Sequence, residues 1–429
     1  MKSSYDVLII GNSTAAIGAV EAIRGKDSEK TICLVANESE HTYSRPLITY
    51  FMAGKVEESN IYYRPLDFYQ KMNVDTLLGT SVTSIDTDNN FVSFDNGDSI
   101  SYGSLIIAAG GSPIQLRCEG TNLDGVFYMN TIEDARNAKE WLKTHKKAVV
   151  IGAGLTGLKT AEALSVLGID TTVIELADRI LAMNTDDEGA ALVEKVLRDN
   201  NIKVLTKVSV TALEPDSSGK SVGAAVLSNK EKVECDTVFV TIGVRPRIDL
   251  VENSGIETNR GILVDKHMKT NIPNVYAAGD IAEAFDPIYQ DRRVLPILPN
   301  AYIGGRIAGL NILGIESEYN VGMSVNSVSF FGYPTMSAGF GTQPEGDGFN
   351  VKTISYDNVY KRFVTKDGKL VGMILCGDVE KAGIITGIMR SGIDISGMED
   401  MLLEGDLKLI NLPESLIEER IHTAGRNWM

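Results

Sequence analysis

Two glycine-broken turns, each set between an apolar run and a helically spaced run, constrain this chain more than any other feature. The apolar residues Ala148, Val149, Val150 and Ile151 break into Gly152-Ala153-Gly154-Leu155-Thr156-Gly157, and the chain resumes at helical spacing over 158–167. That order is strand, tight turn, helix. A buried parallel strand feeding a helix N-terminus leaves backbone N–H groups unpaired at the turn, where they can hold a pyrophosphate. Gly152 permits the turn, Gly154 lets phosphates approach the backbone, and Gly157 lets the helix lie close on the strand. Twenty-three residues after Gly152 the apolar run 171–174 ends in Glu175, placed to take both hydroxyls of an adenosine ribose. Strand before, helix after and acid at this distance together predict a dinucleotide site.

The same unit occurs near the start, where Val7-Leu8-Ile9-Ile10 leads into Gly11-Asn12-Ser13-Thr14-Ala15-Ala16. At an offset of 141 residues Gly11 falls on Gly152, Ala16 on Gly157 and Glu21 on Glu162. Ser13 replaces the second glycine and must still admit a phosphate, with its hydroxyl as a possible donor; Ala16 at the third position is tolerated where helix meets strand. The acid after this copy is Glu38, at the end of the apolar run 31–35. Two dinucleotides are implied.

A formal charge of -16 over 429 residues argues against nucleic acid or an anionic membrane as a general partner. No apolar run approaches the ~18 residues of a membrane span, and residues 1–5 carry no basic leader, so the expected compartment is the cytoplasm. Cys33, Cys118, Cys235 and Cys376 are far apart and spell neither a local redox pair nor a zinc knuckle. His41, His145, His267 and His422 show no metal-ligand spacing, and no metal is expected.

In chain order, 41–50 mixes aromatics with Arg45-Pro46 before an apparent helix; Arg45 can pair bidentately with a pyrophosphate, and Pro46 suits a helix start. Strand signals follow at 81–86 and 91–95, and the run 105–109 ends in Gly110-Gly111, reading as a domain exit. The next domain carries the central turn and finishes near Gly243-Val244-Arg245-Pro246. A strand at 274–278 then ends in Gly279-Asp280, where the Asp alone would read as a helix cap. From about 315 the composition changes to short alternating strands and one helix at 379–389, without a nucleotide fingerprint.

Together these residues resemble the FAD-dependent pyridine-nucleotide oxidoreductases with two dinucleotide-binding domains, over about residues 4–314. The resemblance implies an α/β fold with two Rossmann-like domains, the NAD domain (113–246) inserted in the FAD domain (1–112 and 247–314), and a C-terminal α+β interface domain (315–429) that could support a homodimer or a larger complex. It implies that Asp280 bonds the ribityl chain of FAD, that Ala109 and Gly110 lie near the flavin, that Val82 meets the adenine and that Gly243 lies beside NAD. Gly11, Ser13, Ala15, Ala16, Glu38, Arg45 and Pro46 complete the expected FAD site; Gly152, Gly154, Leu155, Thr156, Gly157 and Glu175 complete that for NAD, with NADH preferred over NADPH because Glu175 opposes a 2′-phosphate.

Within that family, Tyr43-Ser44-Arg45-Pro46-Leu47 is similar to rubredoxin and ferredoxin reductases and to the flavin/NAD module of nitrite reductase large subunits. No cysteine stands where disulfide reductases carry theirs, and His422 is followed by threonine rather than the proline of the family's catalytic histidine. The implied function is an NADH oxidoreductase passing electrons through flavin to a small iron–sulfur protein, or the reverse. An NADH oxidase forming hydrogen peroxide and a flavoprotein subunit or redox-sensing module are the alternatives. Leu155 stands where many relatives carry a gating aromatic residue. Many relatives also pair a Glu two residues after the third glycine with a Lys beyond the Arg-Pro; here those positions hold Lys159 and Tyr50, which become the expected catalytic residues.

Overall fold

Strand Ser4–Ile10 is apolar on both faces over its second half, the pattern of a strand covered by helices on either side. In the computed structural model, which describes residues 2–320, 322–342 and 346–405, this strand lies between Ile32–Ala36 and Ser99–Ile107, both parallel to it. Val74–Leu78 extends the sheet beyond Ile32–Ala36. On the other side the hairpin Val82–Asp86/Phe91–Phe94 pairs antiparallel with the first residues of Ser99–Ile107, and Val275–Ala277, arriving from far along the chain, pairs parallel with its last. The resulting seven-stranded sheet has the order expected of a doubly wound nucleotide-binding fold.

Helices Thr14–Arg24 and Leu298–Ile312 cross at a contact made by small residues. A Cβ at Gly305 would lie 1.9 Å from the carbonyl oxygen of Ala15, and one at Gly18 would lie 2.3 Å from that of Tyr302. Backbones this close exclude any larger side chain. Around them Val7, Leu8, Ile9, Ile17, Leu34, Ile106 and Ala277 are wholly buried.

A second, all-parallel sheet runs Ile202–Leu205, Asp170–Ile174, Lys147–Ile151, Thr237–Val240, Val126–Tyr128. An antiparallel ribbon of Val210–Pro215, Val222–Leu227 and Lys232–Glu234 accompanies it. The chain passes between the two sheets twice, and the two passages, Gly111–Pro113 and Val244–Pro246, pair antiparallel with each other. Both sheets lie in one compact unit, residues 1–178 and 200–322.

The second unit gathers 179–199 with 323 onward. Its five-stranded antiparallel sheet has the order Val325–Phe330, Tyr333–Gly339, Lys369–Cys376, Val359–Lys366, Phe349–Tyr356. Residues 179–199, assigned by sequence to the NAD domain, cluster here for a physical reason: Asp186, just before helix Asp187–Asp199, accepts a hydrogen bond from Tyr360 at 2.5 Å and faces Arg362 at 3.3 Å. His422 lies outside the described residues. Among the described residues no helix is long and apolar enough to cross a membrane.

Candidate functional site

At the first turn Gly11 has φ +120°, and a Cβ there would sit 2.1 Å from the carbonyl oxygen of Ala108. The turn opens on a cavity of about 460 Å³, a size that suits a cofactor. Gly11, Ser13, Ala15, Glu38, Arg45, Val82, Ala109, Gly110 and Asp280 all line it. Ala16 and Pro46 do not: Ala16 is wholly buried behind the turn, and Pro46 lies inside the short helical turn Arg45–Leu47. Ser13 stands at the N-cap of Thr14–Arg24 without spending its hydroxyl on a capping bond, and the helix has no acid in its first turn. Both features leave the helix end receptive to an anion.

Glu38 is held on both oxygens, by the Tyr43 hydroxyl at 2.5 Å and by the Arg45 guanidinium. Arg45 also donates to the carbonyl of Asn130 at 2.7 Å, and the Tyr43 hydroxyl accepts the backbone N–H of Ile132 at 3.2 Å. Arg45, expected to face a pyrophosphate, is thus paired with the carboxylate expected to take the ribose. A carboxylate has about four acceptor sites, so Glu38 retains capacity for ribose hydroxyls.

Asp280 follows Gly279, whose φ of +79° turns the chain where it packs on Ala15. Burial raises the Asp280 carboxyl above its ordinary value, with Arg45 acting in the opposite sense. A carboxylate made costly by burial gains from a hydroxyl that donates to it. The ribityl chain of FAD supplies such hydroxyls, so the residues present fit this cofactor.

Asn12, Asn130, Arg247 and Asp249 also line the cavity and carried no sequence signal. The Asn12 amide donates to the carbonyl of Glu40 at 2.9 Å and accepts from Tyr69. Arg247 is braced by Ser112 at 2.8 Å.

The second turn repeats the first. Gly152 has φ +102°, and a Cβ at Gly157 would lie 1.9 Å from the carbonyl oxygen of Gly152. Gly154 is the extended N-cap of helix Leu155–Val166, and a Cβ there would meet nothing within 4 Å, which leaves room for a phosphate. Leu155 and Thr156 open that helix. Glu175 accepts the backbone N–H of Ala153 at 2.6 Å and of Ala177 at 2.8 Å, so its carboxylate is fixed at the turn. Gly243, with φ +111°, immediately precedes Val244, which lines the first cavity. The Arg179 guanidinium donates to the carbonyls of Thr185 and Ala182 and faces Asp187.

Lys159 does not line the cavity. Its side chain is only 13% exposed, pairs with Glu162 and places Nζ 4.6 Å from the centroid of the Tyr50 ring. Lys159 and Tyr50, far apart in sequence, therefore meet, and Lys159 is not a solvent-facing helix lysine. No cysteine lines the cavity. Burial pushes the thiols of Cys33, Cys235 and Cys376 up to about 12, far from the range of reactive thiolates.

Residues 5–304 match the pyridine nucleotide-disulphide oxidoreductase family, and residues 325–393 match the rubredoxin NAD+ reductase C-terminal domain. The chain is 30% identical over 406 residues to the NADH-dependent phenylglyoxylate dehydrogenase subunit epsilon of Aromatoleum evansii, covering 93% of this chain and 95% of that one. It is 32% identical over 312 residues to the rubredoxin-NAD(+) reductase of Pseudomonas putida, covering 72% of this chain and 80% of the relative. In fold it is similar to the covalent putidaredoxin reductase–putidaredoxin complex, with a TM-score of 0.86 at 22% identity over 99% of each chain.

Proposed function

Since the chain belongs to the pyridine nucleotide-disulphide oxidoreductase family, we propose that it carries electrons between NADH and a small iron–sulfur protein of the rubredoxin or ferredoxin type. The observation that carries this reading is the pairing, in one unit, of an FAD-sized cavity lined by Asp280 and by no thiol with a second glycine turn guarded by Glu175. Bound FAD supplies the change from two-electron exchange with NADH to single-electron exchange with an iron–sulfur centre. The chain's own residues have simpler tasks. Gly11, Ser13 and the N-terminus of Thr14–Arg24 receive the FAD pyrophosphate, Glu38 the adenosine ribose and Asp280 the ribityl hydroxyls. Gly154, Leu155 and Thr156 receive the second pyrophosphate, Gly157 lets their helix pack against the Gly152 turn, and Glu175 selects an unphosphorylated ribose. Lys159 and Tyr50, which meet outside the cavity lining, act on the flavin through the field of the lysine, whose charge favours the reduced ring.

The match to the rubredoxin NAD+ reductase C-terminal domain supports an iron–sulfur partner over oxygen. Anaerobic mixing of NADH-reduced protein with rubredoxin or ferredoxin tests the reading. Fast reduction of one of them, with slow oxygen consumption in its absence, is expected; rapid oxygen consumption and no transfer to either would refute it.

A second reading has its own support, because the similarity to the phenylglyoxylate dehydrogenase subunit epsilon spans nearly the full length of both chains. In that reading the protein is the flavoprotein subunit of a larger NADH-linked enzyme. Co-purification with stoichiometric partners, and transfer only within that assembly, distinguishes it.

A further inference from the structure

Helix Leu155–Val166 begins at the NAD turn, and helix Ile48–Met52 directly follows the turn whose Arg45 lines the FAD cavity. Where these helices meet, Glu162 is 4% exposed and lies on the same helix face as Lys159, one turn on. Its carboxylate accepts Lys55 on Oε1 at 3.1 Å and Lys159 on Oε2. Both ammonium groups also lie over the Tyr50 ring, at 5.9 Å for Lys55 and 4.6 Å for Lys159. Lys55 comes from the first part of the chain, which carries the FAD turn, and Glu162 from the helix that follows the NAD turn, so their bond ties those two segments together.

We propose that Lys55 and Glu162 are positioning residues which hold Lys159 over Tyr50 and, with it, set the field in which the flavin is reduced. A buried carboxylate is costly without a cation, and a long lysine loses side-chain freedom when a fixed acceptor holds it in one place. Glu162 has two cations and is the fixed acceptor of each. The charge pair that sequence comparison seeks at 159 and 50 is carried instead by 162 and 55, with Lys159 and the Tyr50 ring between them. The proposal rests on the reading that FAD is the redox group of this protein.

Each charge then has a sign at the flavin. Lys55 and Lys159 favour the electron-rich reduced ring, whereas Glu162 opposes it. Glu162→Gln removes the negative charge while its amide oxygen still accepts a lysine, so the flavin midpoint potential should rise. Lys55→Met leaves the carboxylate less compensated, so the potential should fall. The measurement is an anaerobic titration of the FAD-loaded protein with dithionite and redox dyes, without NADH or any protein acceptor, so a failed acceptor assay leaves it intact. Opposite shifts in the two variants, with the double variant returning toward the starting value, are expected. No shift in either variant, or shifts of the same sign, would overturn the proposal. Should the charge-neutral Glu162 variant not fold, Lys55→Met against Lys55→Arg decides: the arginine variant keeps the potential and the methionine variant lowers it, and equal potentials overturn the idea.

Discussion

Replacing Asp280 should weaken FAD binding and strengthen the empty protein at once, and the two effects come from one cause. In the FAD-free protein burial raises this carboxyl above its ordinary 3.8. The folded chain therefore holds a proton more tightly than the unfolded chain. The contribution of Asp280 to the stability of the FAD-free protein then falls as pH rises from about 3.8 through the raised value, and the loss persists at neutral pH. Asp280→Asn keeps the shape and removes the charge, so the FAD-free variant should melt higher than the FAD-free parent at pH 7, with the difference vanishing below pH 3.8. With FAD present the order reverses. A hydrogen bond to a charged group contributes about 1.5–3 kcal/mol, so the dissociation constant for FAD should rise about 10- to 150-fold. Asp280→Ala should behave similarly and give largely colourless protein on purification. Flavin fluorescence titration of FAD-free protein and scanning fluorimetry across pH measure both arms. Unchanged FAD affinity, or an FAD-free variant that melts lower at pH 7, would refute the reasoning.

NADH should exceed NADPH in kcat/KM by on the order of tenfold or more, because Glu175 places a fixed negative charge where a 2′-phosphate would lie; Glu175→Gln should narrow the ratio, and equal efficiencies in the parent would contradict the assignment. Replacing all four cysteines by Ala or Ser should leave anaerobic bleaching by NADH near its original rate while costing on the order of 1 kcal/mol per buried site in urea unfolding; a folded cysteine-free protein that no longer bleaches would restore thiol chemistry. Burial pushes the Glu21 carboxyl up, but Arg64 and Tyr302 outweigh it and hold the group below its ordinary value. Its contribution is therefore full above about pH 4.5 and is lost as pH falls through the lowered value. Arg64→Met should cost about 1.5–3 kcal/mol at pH 7 and less at pH 3, and an equal cost at both pH values would exclude the charge as its source.

Local pattern disclosed both nucleotide turns, because strand, turn and helix there are set by neighbours in sequence. The run 202–205 read as a strand for the same reason, and it pairs as one with Asp170–Ile174. Helix Leu298–Ile312 was not legible: Gly305 and Gly309 are poor helix formers, and what selects them is the approach of Ala15 and Ala19 from nearly three hundred residues away. The candidate site divides in the same way. Gly11, Glu38, Glu175 and Asp280 belong to contiguous motifs, whereas Asn130, Arg247 and Asp249 reach the cavity only through the packing of distant segments. Lys55 and Glu162 each look like an ordinary surface charge in sequence, and only the meeting of two helices makes them a pair.

Strand Val275–Ala277, which completes the edge of Ser99–Ile107, also fixes an order of events during synthesis. At about 5–20 residues per second, the ribosome needs on the order of ten to thirty seconds to pass from the end of one strand to the start of the other. Throughout that interval residues 105–107 present an unpaired edge, and the segment bearing Asp280 does not exist. The inserted NAD-binding sheet is finished first, since its last strand ends at Val240. Cofactor loading is consequently a late step of biogenesis: nascent chains stalled before residue 275 should retain no FAD, and the exposed edge makes them the species most in need of a chaperone.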